Sequence, residues 1–584
     1  MAKIDDPSVW TTWRTGPIPF PTQMRPLVPE TLEAGPAIEL DHKLTIVLPD
    51  RSQDEVHGKA LQTVVGWIRH RVRKSQIVTA EKLAEKHQER HLLVLGTLTQ
   101  NPLAQRILGS SAATFMRDIP PGGYRIQPVA HPWSKERRVV LALGADEEGA
   151  WRAAIVFCFG IRPGGIGQME RWPVKLPEAT GWVPFEATCS ERPSVIPASA
   201  SKPPAPRIPF GVRTWSSPTP TLATYERMIR ALKPYGLNSI VLTPGGWQDV
   251  RNPGEVCRRA LDIAYDAGLF TILYVGNDAE AHRPAPLTEK HRAIVAAVKN
   301  HPGLLRWELY NQLTAELSAA ERRMVREQTD WLHSVSDKPV GMEIVWGHDM
   351  GQPPAAKVAL MRDLLSWGVR DIAHDYAPIG GWSDKHDLSL WERRINALHE
   401  LNAQPWAVLQ AHVPFEGPTL PTRAELRNQF WWCVAAGARA FHFEVAYSFN
   451  YFSNRGLLTW TLDPCPDGRL EEVGELARVM RSLEPILLKS RPVTKQEVEF
   501  LGVKLTKGDD KAVVRIRCLP GEILCLVFVS RDVNAATRVE CSLGRLNASK
   551  AVDVVTGAAI SVRAEEKTFV FELPPGGGAC FGLQ

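Results

Sequence analysis

Between residues 208 and 488 the sequence alternates eight times between a short apolar run and a helical pattern. Few folds accommodate that rhythm. The apolar runs are Phe210–Trp215, Leu237–Leu242, Phe270–Val275, Leu304–Tyr310, Val340–Trp346, Val369–Asp375, Trp406–Gln410 and Ala438–Val445. Each has the length of a buried strand and is bounded by turn residues. The helical patterns that follow are Thr224–Leu232, Glu255–Asp266, Glu289–Lys299, Ala319–Val335, Ala355–Trp367, Leu388–Leu401, Arg423–Ala435 and Glu472–Leu483. Ser318-x-x-Glu321 and Thr422-x-x-Glu425 have the form of capping boxes at helix starts. Gly236, Gly268, Gly303, Gly368 and Gly437 stand between a helix and the next strand, where a helix is closed. Eight strand-then-helix units predict a (β/α)8 TIM barrel. The runner-up, a doubly wound open sheet, usually carries a Gly-rich phosphate loop after its first strand, and Arg213-Thr214-Trp215-Ser216-Ser217 is not one.

The chain has 584 residues, more than one core usually holds. Residues 1–190 predict an α+β domain: strands at Leu44–Leu48, His91–Gly96, Gly123–Gln127 and Arg138–Gly144, and helices over Val56–Arg71 and Ala145–Phe159. A stretch rich in Pro, Ser and Ala from Ser190 to Pro209 reads as a linker. Residues 489–584 alternate strands and turns, with strands at Val513–Cys518, Ile523–Val529, Lys550–Val555 and Phe569–Leu573, and predict a C-terminal β-sandwich. The expected fold class is therefore α/β, a barrel flanked by two smaller domains.

Composition closes off other classes. Lys and Arg number 69 against 64 Asp and Glu, with no long basic run, so no nucleic-acid partner is expected. No stretch approaches the ~20 apolar residues that cross a bilayer, so no membrane is expected either. Met1–Asp6 lacks the apolar core of a signal peptide. The expected location is cytoplasmic, or periplasmic or secreted if the chain begins after a removed signal. None of the nine cysteines forms a C-x-x-C pair, and several sit in apolar runs as small core residues. No metal and no cofactor are expected. Trp10 and Trp13 are candidates for a homo-oligomer seam.

Barrel enzymes work at the C-terminal ends of their strands. The polar residues there are Arg213 on strand one; Glu308, Tyr310, Asn311 and Gln312 on strand four; and His348 after strand five. Strand six adds His374, Asp375 and Tyr376, strand seven Gln410 and His412, and strand eight His442 and Glu444. Because residues i and i+2 share a face, His442 pairs with Glu444, with Phe441, Phe443 and Val445 facing the helices. Gln410 likewise pairs with His412, and Glu308 aligns with Tyr310 and Gln312. Glu444 and Asp375 are the candidate catalytic carboxylates; the plainer alternative is a structural bond from Glu444 to Arg213 or His442, and a loop anchor at Asp375. Glu343 lies mid-strand and reads as pairing within the barrel. Trp215, Trp247, Trp346, Trp382 and Trp460 fall on or just after strand ends, and flat aromatic walls beside convergent polar groups suit a sugar. A metal-dependent hydrolase would want His-x-His after strand one, where Arg213-Thr214-Trp215 stands.

These residues resemble a family. Ile18-Pro19-Phe20-Pro21, Gly123-Tyr124-Arg125-Ile126 and Leu143-Gly144-Ala145-Asp146-Glu147-Glu148-Gly149-Ala150 are similar to the small α+β domain ahead of the barrel in hexosaminidases and α-glucuronidases. Leu305–Gln312, Asp375-Tyr376-Ala377-Pro378, Trp406–Gln410 and Gly437–Phe441 resemble stretches of glycoside hydrolase barrels more loosely. The resemblance implies glycosidic bond hydrolysis or transfer by an extracellular or periplasmic enzyme on a carbohydrate substrate. It also implies a catalytic Glu at the end of strand four, where this chain has Asn311-Gln312. A carboxamide cannot act as a general acid. Gln312 is then a Glu→Gln replacement, or the pair has moved to Asp375 and Glu444, or the barrel binds carbohydrate without cleaving it. Arg213, Trp215, Trp247, Tyr310, Asn311, Trp346, His348, Tyr376, Gln410 and His412 are the expected substrate-binding residues.

Overall fold

The computed structural model describes residues 37–41, 44–50, 55–71, 75–117, 119, 121, 123–160, 171–175, 205–214, 221–244, 250–276, 278–279, 283–310, 313, 317–346, 352–379, 387–412, 420–446, 456–458, 464–465, 467–493, 495–520 and 524–584. The chain separates into two compact units, residues 1–201 with 216–227 and 244–256, and residues 202–215 with 228–243 and 257–584.

In the first unit a five-stranded sheet runs in the order Gln76–Thr79, Leu44–Leu48, His91–Thr97, Arg138–Gly144 and Tyr124–Ala130. The first four strands are parallel and the last is antiparallel. Helices Glu55–Arg71 and Glu147–Gly160 pack against each other. The Gly144–Ala150 run has a structural job. Asp146 Oδ1 accepts from the Gly149 amide at 2.9 Å, and a Cβ on Gly149 would stand 2.0 Å from the Gly123 carbonyl oxygen. The turn into that helix thus needs the short acceptor and the bare glycine.

The second unit holds a closed barrel of eight parallel strands: Phe210–Arg213, Ser239–Leu242, Phe270–Tyr274, Leu304–Glu308, Val340–Glu343, Asp371–Tyr376, Gln404–Gln410 and Ala440–Glu444. Here they are numbered one to eight. Every strand is followed by a helix, the eight being Leu222–Leu232, Pro253–Asp266, Glu289–Val298, Ala319–Val335, Ala355–Ser366, Leu390–Glu400, Arg423–Ala436 and Arg469–Lys489. Both capping boxes form: Ser318 and Thr422 each accept from the amide three residues on, and Glu321 and Glu425 return the bond. Gly437 closes helix seven at φ 85°, a backbone region that favours glycine. A Cβ there would also meet the Arg517 guanidinium at 2.5 Å. Helix seven shows little amphipathic pattern because it is buried on both sides. Phe430 packs on Phe210 and Phe441, while Asn428 donates to the carbonyls of Ser530 and Gly576.

Strand alternation sorts the barrel as expected. Phe210, Phe441 and Phe443 cluster outside, toward helix seven. Val241, Ile272, Ala373, Trp406, Val408 and Ala440 fill the lower interior. There the Arg306 guanidinium lies 3.7 Å from the Trp406 ring centre and 2.9 Å from Asp371.

After the barrel, six antiparallel strands run in the order Arg491–Pro492, Ala512–Cys518, Leu524–Ser530, Gly578–Leu583, Lys550–Asp553 and Ala559–Ser561. A three-stranded sheet, Lys504–Lys507, Thr537–Ser542 and Thr568–Leu573, shares one core with it around Phe528, Phe569 and Phe581. Seven described cysteines are free thiols, all but Cys518 buried. Among the described residues no helix is long and apolar enough to cross a membrane.

Candidate active site

Six barrel strands deliver a polar side chain to the interior at their C-terminal ends. Arg213, Glu308, Glu343, Gln410 and Glu444 are the last residues of strands one, four, five, seven and eight, and Asp375 is the penultimate residue of strand six. All are buried. Strand pairing sets them around one rim: Glu444 lies opposite Arg213, and Gln410 opposite Glu444.

Arg213 organises this rim. Its Nη1 donates to Glu343 Oε2 at 2.5 Å and its Nη2 to Glu308 Oε1 at 2.7 Å. Burial works against the guanidinium's charge, but Glu308, Glu343 and Glu444 outweigh it and hold the proton more tightly than usual. The carboxyls respond in the other direction. Burial pushes Glu343 well above the ordinary carboxylate range; Arg213 opposes this, and Asp375, Glu308 and Glu444 add repulsion. Glu308 is raised too, by burial, with Arg213 opposing and Glu444 reinforcing. The rim therefore favours the protonated form of a carboxyl, beside acidic neighbours and a fixed cation. That is the equipment of a proton donor.

The two histidines near the rim are uncharged. His412 donates from Nδ1 to the Glu444 carbonyl oxygen at 2.6 Å, which fixes its tautomer. Burial lowers its pKa, against the pull of Glu444. His442 lies deeper, with Nε2 3.1 Å from Ser239 Oγ. Burial, then Arg213 and Arg306, lower its pKa to about 3. Its ring resonances should accordingly stay at their neutral positions in an NMR titration from about pH 8 to 5; movement near the ordinary value of about 6.5 would mean that the interior is wet. Because the folded value is depressed, its contribution to stability is present above about 6.5 and is lost as pH falls toward the folded value of about 3.

Three expected substrate-binding residues face the other way. Asp375 and Tyr376 are sequence neighbours on one strand, so only one can face the interior. The Tyr376 hydroxyl donates to the Asp387 carbonyl at 3.0 Å and its ring packs on Trp391 of helix six. The Tyr310 hydroxyl donates to Gln328 of helix four and lies 3.3 Å from the Ala285 carbonyl oxygen. Strand four ends at Glu308, so the two-residue alternation does not extend to residue 310. Trp346 stacks on His374 at 3.8 Å, beside Arg394 of helix six. Gln410 does face inward, but its amide is engaged with backbone: Oε1 accepts from the Ile379 amide, and Nε2 donates to the carbonyls of Ile379 and His412. Trp215, Trp247, Asn311, Gln312, His348, Trp382 and Trp460 lie outside the described residues, as do Trp10, Trp13 and Ile18–Pro21.

Glu308 and Glu343 are the members of the rim that sequence reasoning passed over as candidate catalytic residues. Strand five was expected to run to Trp346, which placed Glu343 mid-strand; it ends at Glu343, which puts that carboxyl at the rim. The usable signal for Glu308 was its two-residue spacing from Arg306 at the end of an apolar run. Among the described residues no group of three or more His, Cys, Asp or Glu is arranged to hold a metal ion.

No family model and no curated protein matches the chain. Several of the solved structures that match are described as a glycoside hydrolase or named for a glycosidase activity. One described by that term is 10% identical, over 65% of this chain and 93% of its own, at a TM-score of 0.45. A β-L-arabinopyranosidase from Geobacillus stearothermophilus is 12% identical over 65% and 96%, at 0.41. Alpha-galactosidase I from Mortierella vinacea is 12% identical over 66% and 98%, at 0.40. At these identities the likeness concerns the path of the backbone alone.

Proposed function

We propose that this chain hydrolyses glycosidic bonds at the C-terminal end of its barrel. The observation that carries the reading is the rim itself: four carboxyls and one arginine from five strands, with the Glu343 carboxyl pushed well above the ordinary carboxylate range by burial. Glycoside cleavage passes through an oxocarbenium-like transition state and needs one carboxylic acid and one carboxylate. Glu444 is the base or nucleophile. The proton for the leaving oxygen comes from the Asp375–Glu343 pair, in which Asp375 helps keep Glu343 protonated. Arg213 holds Glu343 and Glu308 in place. Residues 208–488 form the catalytic module in this reading, with 1–190 and 489–584 accessory to it.

A second reading, a barrel that binds carbohydrate without cleaving it, is favoured by one observation. Arg213 and Gln410 spend hydrogen bonds inside the protein, as structural residues do. A panel of aryl glycosides covering common sugars in both anomeric forms separates the readings, run on the natural chain and on Gln312→Glu. The hydrolase reading expects release of the aryl group from at least one substrate by the natural chain. Activity only in Gln312→Glu assigns the acid to position 312. Sugar binding with no turnover by either leaves the second reading.

A further inference from the structure

We propose that the sugar taken by this site carries a free, protonated amino group, held between Glu308 and Glu343. The inference rests on the glycosidase reading and adds the substrate's charge to it. A single guanidinium serves two carboxyls here, one nitrogen to each. It leaves Glu308 Oε2 and Glu343 Oε1 buried with no hydrogen-bond partner among the described residues. Glu308 is 1% exposed and Glu343 0%. Buried polar atoms are nearly always satisfied, so an unsatisfied carboxyl oxygen on each of two adjacent strand ends calls for a donor. Both residues close their strands, so the two oxygens lie at the end of the barrel where ligands arrive.

Charge then selects among sugars. Arg213 balances one carboxylate and not two. An ammonium group brings three donors and one positive charge, so it satisfies both orphan oxygens and balances the second carboxylate. A hydroxyl brings one donor and no charge. A uronate brings more acceptors to a place crowded with them.

The other charged groups around Glu343 reinforce the choice. Asp375 and Glu444 press on it with the same sign. Arg306 is paired with Asp371, and Arg469 with Asp467 and the carbonyls of Ala411 and Gly456. His412 and His442 are neutral. With no ligand bound, the surplus is relieved by a proton on the raised carboxyls. An ammonium displaces the proton on Glu308, so binding releases it to solvent, while Glu343, the more strongly raised of the two, keeps the proton it donates to the leaving oxygen.

The test is calorimetric titration of the full chain at about pH 6.5, where an amine of pKa about 7.7–8.0 is charged. Glucosamine, glucose, N-acetylglucosamine, glucuronate and calcium chloride are the probes, each in two buffers of different ionisation heat. Glucosamine should bind roughly tenfold or more tightly than glucose, with a buffer-dependent heat that shows proton release, and glucuronate should bind weakest. Glu308→Gln and Glu343→Gln should remove the preference. Should neither variant fold, the natural chain's ranking decides alone. Equal binding of glucose and glucosamine, tighter binding of glucuronate, or calcium binding with the same proton release overturns the proposal. Hydrolysis of neutral aryl glycosides without amine preference sinks this inference and leaves the hydrolase standing. Amine-selective binding with no aryl glycoside hydrolysed does the reverse.

Discussion

Replacing Arg213 with methionine is expected to destabilise the second unit by about 3–5 kcal/mol, the usual cost of removing one partner from a buried ion pair. The size follows from what is left behind. Glu308 and Glu343 are both buried and both bonded to this guanidinium. Without it they are uncompensated carboxyls beside Asp375 and Glu444. Their folded pKa values, already raised, rise further above the unfolded value of about 4.3. A carboxyl raised on folding gives stability that is fully present below the unfolded value and is lost as pH rises through the folded one. The deficit of Arg213→Met should therefore be small near pH 4 and largest above neutrality. Adding Glu308→Gln and Glu343→Gln should restore most of the loss, because neutral amides need no cation. Urea denaturation at several pH values reads all three results. A single variant as stable as the natural chain at pH 8 would mean that the two carboxyls find other cations.

Glu343→Gln and Glu444→Gln should each lower kcat on the best aryl glycoside by roughly 10²–10⁴-fold, the range that positioned acid–base groups contribute. The two losses should differ in kind. A general acid works protonated, so activity governed by Glu343 falls as pH rises through its folded pKa. Glu343→Gln should flatten that alkaline limb. Its loss should also shrink with aryl leaving groups that depart without protonation. Glu444 works as a carboxylate, and its replacement should cost as much with good leaving groups as with poor ones. If both variants lose the same factor on every leaving group and keep the natural pH profile, the residues are structural.

The rhythm of strand and helix was legible because the barrel strands are largely buried on both faces and read as mostly apolar runs. Helix four was predicted to the residue, since a capping box fixes its start and Ser336 ends its ladder. Several strands missing from the sequence reading are short and exposed. Gln76–Thr79 has no buried residue, and Lys504–Lys507 is mostly exposed, so neither carries an apolar signature. At the site, alternation placed Glu444, Asp375 and Arg213 correctly on the inner face. It failed where a strand ended earlier than its apolar letters did. Tyr310 and Trp346 continue the apolar run in sequence but turn toward the helices in space. Glu343 does pair within the barrel, with Arg213, as its sequence position suggested; what the letters hid is that its strand stops three residues before Trp346, which puts it at the rim. The charge balance around Arg213 was not legible at all, since it joins residues 95 and 130 positions away.

The most direct test of the account is a crystal structure of the full chain with the tightest-binding sugar or sugar-shaped inhibitor from the panel. The account predicts the ring at the C-terminal rim of the barrel, its anomeric carbon facing Glu444 and its glycosidic oxygen within hydrogen-bond reach of Asp375 or Glu343. A ligand seated elsewhere, with Arg213, Glu308 and Glu343 still enclosed and untouched, would contradict it.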